Sequence, residues 1–152
     1  MNRKLLLLFF LCLTKLSFSQ KVNFIIQVND RLLNYGEVTN LYIKFDSEKS
    51  EKYYVNYFPG DLILDDKVLE KINSSETKFY LHFDYYTSKK EELEIANFDI
   101  ELNKNILNQP FLIANVFDFR NKEYRNWYSW LTKENYLVQL TYPESGLYIR
   151  RE

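Results

Sequence analysis

The sequence is poor in the residues that usually carry chemistry or special backbone geometry. Its 152 residues include one cysteine, one histidine, three glycines and three prolines. Cys12 stands in an apolar stretch near the start, so the rest of the chain has no thiol for a disulfide, a nucleophile or a zinc site. The only alanines are Ala96 and Ala114, which argues against a helix bundle because alanine is the strongest helix former.

Positive and negative residues are nearly equal in number. Lysine plus arginine number 20 and aspartate plus glutamate number 21, which gives a formal net charge of -1. This balance lacks the basic excess of a nucleic-acid-binding protein, so we expect no nucleic acid partner. A hydrophobic fraction of 46% and a charged fraction of 27% are typical of a globular domain. The abundant residues are 13 Tyr and 12 Phe, which favour strands.

The first 19 residues have the order of a secretory signal peptide. Arg3 and Lys4 precede an apolar run, Leu5–Leu13, and small residues precede the expected cleavage point after Ser19. The apolar run is less than half of the roughly 20 residues that a bilayer-spanning helix needs. The sequence therefore predicts a secreted or periplasmic protein with no stable membrane insertion after signal cleavage, and a single domain over residues 20–152.

Apolar and polar residues alternate through much of that domain. The period of two is typical of strands with one face on a core, and it is clearest in Val22–Val28, Leu41–Phe45, Lys78–Tyr86 and Tyr136–Leu140. Together with shorter apolar runs, this pattern predicts about seven to eight strands and one or two short helices, one of them over residues 65–73. The expected class is all-β, an antiparallel β-sandwich, and the immunoglobulin-like and transthyretin-like kinds both fit.

Three local features refine this expectation. The segments Leu41–Phe45 and Tyr53–Phe58 are predicted to form a long hairpin, which Pro59–Gly60 then ends. The alternation changes phase near Ala96–Asn97, which indicates a bulge or a crossing between sheets. A last short strand is expected over Leu147–Ile149.

The usual catalytic and metal-binding motifs are missing from the sequence. His82 lies on the polar side of a predicted strand. It is not part of a motif that would supply a nucleophile or a second histidine, so we expect a position on the surface of the strand. The acidic pairs Asp65–Asp66 and Glu91–Glu92 are predicted to be solvated turn residues. We therefore expect no catalytic residue, no metal ion and no cofactor.

The densest feature is an aromatic segment that contains both tryptophans, and its candidate binding residues are Tyr124, Arg125, Trp127, Tyr128 and Trp130. Such clusters suit protein or carbohydrate partners, since tryptophan, tyrosine and arginine dominate binding hot spots. The alternative is a helical lid whose rings close one end of the core. A helix here would place Tyr124, Trp127, Tyr128 and Leu131 on one face. We therefore expect Trp127 to be buried alongside Tyr124 and Leu131, and Trp130 to be more exposed.

These observations favour an exported, non-catalytic binding or interaction module of the bacterial cell envelope or the extracellular space. Its expected partner is a protein or a carbohydrate. Two alternatives from other classes stay open, namely a small carboxylate-dependent hydrolase acting on glycans and a structural accessory subunit of an envelope assembly.

Overall fold

Strands dominate the computed structural model, which describes residues 19–48, 50–74, 78–89, 92–128, 130, 135–143 and 145. Ten strands lie in these ranges: β1 Gln20–Val28, β2 Arg31–Leu32, β3 Val38–Phe45, β4 Tyr53–Tyr54, β5 Asn56–Phe58, β6 Gly60–Leu64, β7 Phe79–Lys89, β8 Glu92–Leu102, β9 Leu112–Asp118 and β10 Tyr136–Thr141. The three helices are α1 Asp66–Ser74, α2 Lys104–Leu107 and α3 Lys122–Trp127. The expected β-rich class is confirmed.

The strands form two sheets. The first has the order β10-β9-β1-β6-β5, with β2 paired to β1, and the second has the order β4-β3-β7-β8. Neighbours are antiparallel except for β1 and β9, where Phe24–Val28 runs parallel to Leu112–Val116. The pairing is therefore mostly antiparallel, as expected, and the β1–β9 pair is the exception among the named strands. Alternation shows which side chains face the core, but it carries no information about the direction of the neighbouring strand.

Both sheets contribute side chains to one buried cluster. Phe24 and Ile26 come from β1, and Ile43, Leu81 and Phe83 come from β3 and β7, all with no exposed surface. Replacing such a side chain with alanine typically costs about 2–5 kcal/mol, because the lost apolar contacts leave a cavity. This shared core is what holds the two sheets together.

The predicted helix over residues 65–73 is confirmed as α1. The Asp65 carboxylate accepts a hydrogen bond from the backbone N–H of Val68 at 2.9 Å, which satisfies one of the free donors of the first turn. Val68 and Ile72 are buried in the shared core. The helix therefore covers the core with one apolar side, as its sequence pattern indicates.

The predicted long hairpin is only partly present. Tyr53 and Tyr54 pair with β3 as expected, but the chain then changes sheets, and residues 56–58 pair with β6. Val55 lies at the crossing, 8% exposed, and its N–H donates to the carbonyl oxygen of Leu41 at 3.2 Å. A continuous apolar run fits both a hairpin strand and a strand that crosses between sheets, so the sequence could not separate them.

The predicted irregularity near Ala96–Asn97 is wrong. Strand β8 pairs with β7 in one unbroken register, with Ala96 and Phe98 buried and Ile95 half exposed on the outer side. The register shift lies instead in β3, between Thr39 and Tyr42. The segment 147–149, expected as a strand, is outside the described residues, as are residues 1–18 of the expected signal peptide.

Candidate functional site

The aromatic segment begins with the short helix α3. The side chain of Asn121 accepts a hydrogen bond from the N–H of Glu123 at 3.0 Å and so caps the first turn. The last helical bond joins the N–H of Tyr128 to the carbonyl oxygen of Tyr124 at 3.0 Å. With only six residues, α3 ends at Trp127 and does not contain the whole apolar face that the sequence predicted from Tyr124 to Leu131.

Tyr124 anchors this helix to the sheet. Its side chain is buried, and its hydroxyl lies 3.0 Å from the carbonyl oxygen of Asn29 and 3.1 Å from a carboxylate oxygen of Asp30. Burial, together with the hydrogen bond to the Asp30 carboxylate, raises the pKa of the Tyr124 phenol. The Tyr124 phenol therefore stays protonated at physiological pH, and its hydrogen bonds hold the ring in place.

The anchor point is the tight turn between β1 and β2. Asn29 and Asp30 have φ values of 54° and 62°, the left-handed conformation of both central residues of a type I′ hairpin turn. The N–H of Asp118 donates to the side-chain oxygen of Asn29 at 2.8 Å, and the N–H of Asp30 donates to the side-chain oxygen of Asn115 at 3.2 Å. Since Asn115 and Asp118 are both buried, the turn and the helix above it rest on a fixed base.

Trp127 is not buried, contrary to the prediction from helical phase. It exposes 60% of its surface, while its ring contacts Tyr124 edge to face with centroids 5.2 Å apart. Tyr128, which belongs to the same predicted face, is half-buried against Phe117 and Phe119. Tyr124 and Tyr128, four positions apart, thus occupy the inner side of the segment, and Trp127 lies beside them at the surface.

The other candidate residues are distributed as follows. Trp130 is 72% exposed, as expected, and Arg125 is exposed. Leu131, predicted to pack beside Trp127, is outside the described residues. The structure thus places Tyr124 and Tyr128 at the base of the segment and Arg125, Trp127 and Trp130 at its surface.

His82 lies in a polar network on the outer face of the second sheet. Its Nδ1 is 2.8 Å from a carboxylate oxygen of Asp99, and its Nε2 is 3.2 Å from one of Asp84. The ring of Tyr42 stacks on it with centroids 4.5 Å apart, and Lys44 Nζ lies 2.9 Å from Asp99. With both ring nitrogens occupied by carboxylates, the network suits a structural tie between β7 and β8 better than proton transfer to a ligand.

The sequence did not reveal this network because it depends on strand register. His82 and Asp84 alternate on one strand, which was visible, but Asp99 faces His82 only because β7 and β8 pair at that register. The acidic pairs named above give no comparable cluster. Asp65 caps α1, and Glu91 and the Glu92 side chain are outside the described part of the chain. Across the described ranges, no group of three His, Cys, Asp or Glu residues is arranged to hold a metal ion.

The comparisons with known proteins return no relative. No protein-family model, curated protein or solved structure matches the chain. Function must therefore be argued from the geometry above. Within the residues that the structure describes, no helix has the length and apolar character needed to span a membrane.

Proposed function

We propose that the protein is an exported, non-catalytic binding module whose partner contacts the aromatic segment that begins with α3. The observation that carries this proposal is the exposure of two tryptophans three positions apart, 60% for Trp127 and 72% for Trp130. Tryptophan is highly buried on average, so two exposed rings close in sequence are unusual on a surface without a partner. Tryptophan and arginine are also the residues most enriched in binding hot spots, and Arg125 is exposed between them and the anchor.

The fixed base of the segment supports binding rather than closure of the core. Tyr124 and Tyr128 already cover Phe117 and Phe119, so the tryptophans are not needed as a lid. Because Tyr124 is tied to the turn at Asn29, little conformational freedom is lost at α3 when a partner binds. A protein or a carbohydrate in the envelope or the extracellular space fits this surface.

A binding role is favoured over a glycan hydrolase by the pKa of Asp99, which lines a cleft together with Lys44, Tyr80 and Glu101. Glycoside hydrolysis needs a carboxylic acid whose pKa is raised so that it can donate a proton. The hydrogen bond from His82 and the nearby Lys44 lower the pKa of Asp99 instead. Glu101 forms an ion pair with Lys78.

We further propose that the two sheets form a β-sandwich of the transthyretin-like kind. In the constant immunoglobulin order, the first two long strands are neighbours in one sheet. Here the first two long strands, β1 and β3, belong to different sheets, and β1 lies between β6 and β9. This order favours the transthyretin-like alternative of the two that the sequence left open.

Single substitutions test the binding role. Trp127→Ala and Trp130→Ala should each weaken capture of the partner by about tenfold or more, the size expected for a hot-spot ring. Binding can be measured by biolayer interferometry against purified envelope proteins and cell-wall or surface glycans. Tyr54→Ala is the matched control, because Tyr54 is 64% exposed but lies on the other sheet, in β4.

Stability measurements separate this proposal from the lid. Trp127→Ala should change the free energy of unfolding by less than about 1 kcal/mol, since only the edge contact with Tyr124 is lost. Tyr124→Ala should cost about 3–5 kcal/mol, the range for emptying a buried aromatic site. A loss of that larger size at both tryptophans would assign the segment to the core and refute the binding role.

A further inference from the structure

On one side of the molecule, a tyrosine reaches from the first sheet to the second. Strands β8 and β10 are the edge strands of the two sheets on this side. Tyr136 of β10 reaches across, and its hydroxyl lies 3.0 Å from the N–H nitrogen and 3.3 Å from the carbonyl oxygen of Asp99 in β8. Its ring meets Phe98 edge to face, with centroids 5.1 Å apart.

Two hollows flank this tyrosine and share it as a wall. The larger has a volume of about 510 Å³, and Lys44, Tyr80, Asp99 and Glu101 also line it. The smaller has a volume of about 290 Å³, and its other walls include Asn97, Arg120 and Asn135. The larger hollow is within the size range of small-molecule sites. We call the two hollows, which meet at Tyr136, the groove between β8 and β10, and in both of them aromatic rings lie beside polar side chains.

The charges in the groove are already paired with one another. Lys44 Nζ is 2.9 Å from Asp99, Arg120 is 2.7 Å from Asp118, and Lys78 is 2.5 Å from Glu101. A charged ligand would compete with these ion pairs. A neutral ligand with many hydroxyl groups can use the remaining donors and acceptors of the same side chains without separating the charges.

Strand addition by a peptide is disfavoured at the same edge. Arg120 Nη1 donates to the carbonyl oxygen of Ile95 at 3.3 Å, and Tyr136 occupies both backbone groups of Asp99. A peptide that paired with β8 would have to displace both side chains. A ligand that contacts side chains rather than the strand edge leaves them in place.

We infer that the groove between β8 and β10 binds a neutral oligosaccharide, with sugar units on both sides of Tyr136. The C–H face of a pyranose packs on an aromatic ring, and its hydroxyls bond to carboxylates, carboxamides and guanidinium groups. Tyr80 and Tyr136 are the tyrosine rings that line the groove, with Lys44 Nζ 5.6 Å from the centroid of the Tyr80 ring. Asn97 and Glu101 are among the polar partners. This site is separate from the tryptophans of the aromatic segment and adds a second binding surface to the proposed function.

Titration calorimetry of the expressed protein tests this inference. The neutral probes are maltohexaose, cellohexaose, xylohexaose and mannohexaose, and the anionic comparator is hexagalacturonate. Tyr80→Ala should weaken binding of the preferred neutral hexaose by about tenfold or more. Tyr86→Ala is the matched control, because Tyr86 is an exposed tyrosine on the same outer side of β7, about 20 Å further along the strand.

The outcomes are distinct. Binding of a neutral hexaose that is lost with Tyr80→Ala but kept with Tyr86→Ala and Trp127→Ala supports the groove. Absence of binding by all four neutral probes, or equally tight binding of hexagalacturonate, overturns it. Binding that is lost with Trp127→Ala and kept with Tyr80→Ala would place the sugar on the aromatic segment, in which case the proposed function stands and this inference falls.

Discussion

At the scale of single residues, the best-supported electrostatic feature is the charged state of Asp99. The hydrogen bond from His82 and the hydrogen bond and charge of Lys44 lower its pKa, while partial burial opposes them. A carboxylate whose pKa is lower in the folded than in the unfolded chain stabilises the fold above the unfolded pKa. That contribution is lost as the pH falls through the folded pKa, below about pH 4.

Asp99→Asn should therefore make stability less sensitive to acid. At about pH 6 the variant should be less stable than the parent, and this difference should shrink as the pH falls to about 2.5, because the parent loses the same interaction by protonation. Urea unfolding at a series of pH values measures this change. Asp61→Asn is the control, since Asp61 forms an exposed ion pair with Lys21 of a kind that adds little to stability. A constant difference between parent and Asp99→Asn across the range would contradict the assignment.

At the scale of an element, the register shift in β3 depends on one residue. Asn40 has a φ of 48°, a left-handed conformation that asparagine and glycine adopt far more readily than β-branched residues. Its side-chain amide also donates to the Asp84 carboxylate at 3.0 Å. The shift leaves Leu41, Tyr42 and Ile43 all buried, which a regular strand with one wet face would not allow.

Substitution of Asn40 should separate backbone conformation from the hydrogen bond. Asn40→Val should destabilise the protein by about 2 kcal/mol or more, because valine is strained at positive φ and cannot bond to Asp84. Asn40→Gly should cost about 1 kcal/mol or less, because glycine accepts the conformation and only the exposed hydrogen bond is lost. Thermal unfolding of both variants measures how much stability each one loses. Equal losses of stability would show that backbone strain at residue 40 is not the cause.

The sequence was most informative where burial follows a local period. In β1, Val22, Phe24, Ile26 and Val28 are buried as their alternation predicts. It was least informative where burial depends on a distant neighbour or on which side of a short helix packs against the sheet. Ile95 is apolar but faces outward, and Trp127 is exposed because Tyr124 and Tyr128 occupy the inner side of the aromatic segment. The aromatic segment itself could be located from composition, whereas the groove beside Tyr136 could not, because it joins the edges of two sheets.

At the scale of the molecule, the two sheets are connected differently on their two sides. On one side the chain itself passes from β4 through Val55 into β5 and links the sheets covalently. On the opposite side, the Tyr136 hydroxyl contacts both backbone groups of Asp99 in β8, and Arg120 donates to the carbonyl oxygen of Ile95 in the same strand. The groove lies on this second side, where side chains make the contacts between the edge strands.

The parallel pairing of β1 with β9 also sets the order in which the molecule can be assembled. Phe24 and Leu112 are neighbours in the sheet although they stand 88 positions apart in the chain. While the polypeptide emerges from a ribosome or a translocation channel, β1 lacks one of its three partner strands until residues 112–118 have followed. Such long-range pairing predicts refolding in milliseconds to seconds rather than microseconds. A fragment that ends at residue 111 should show little cooperative unfolding by circular dichroism, and a cooperative transition like that of the whole chain would disprove the dependence on β9.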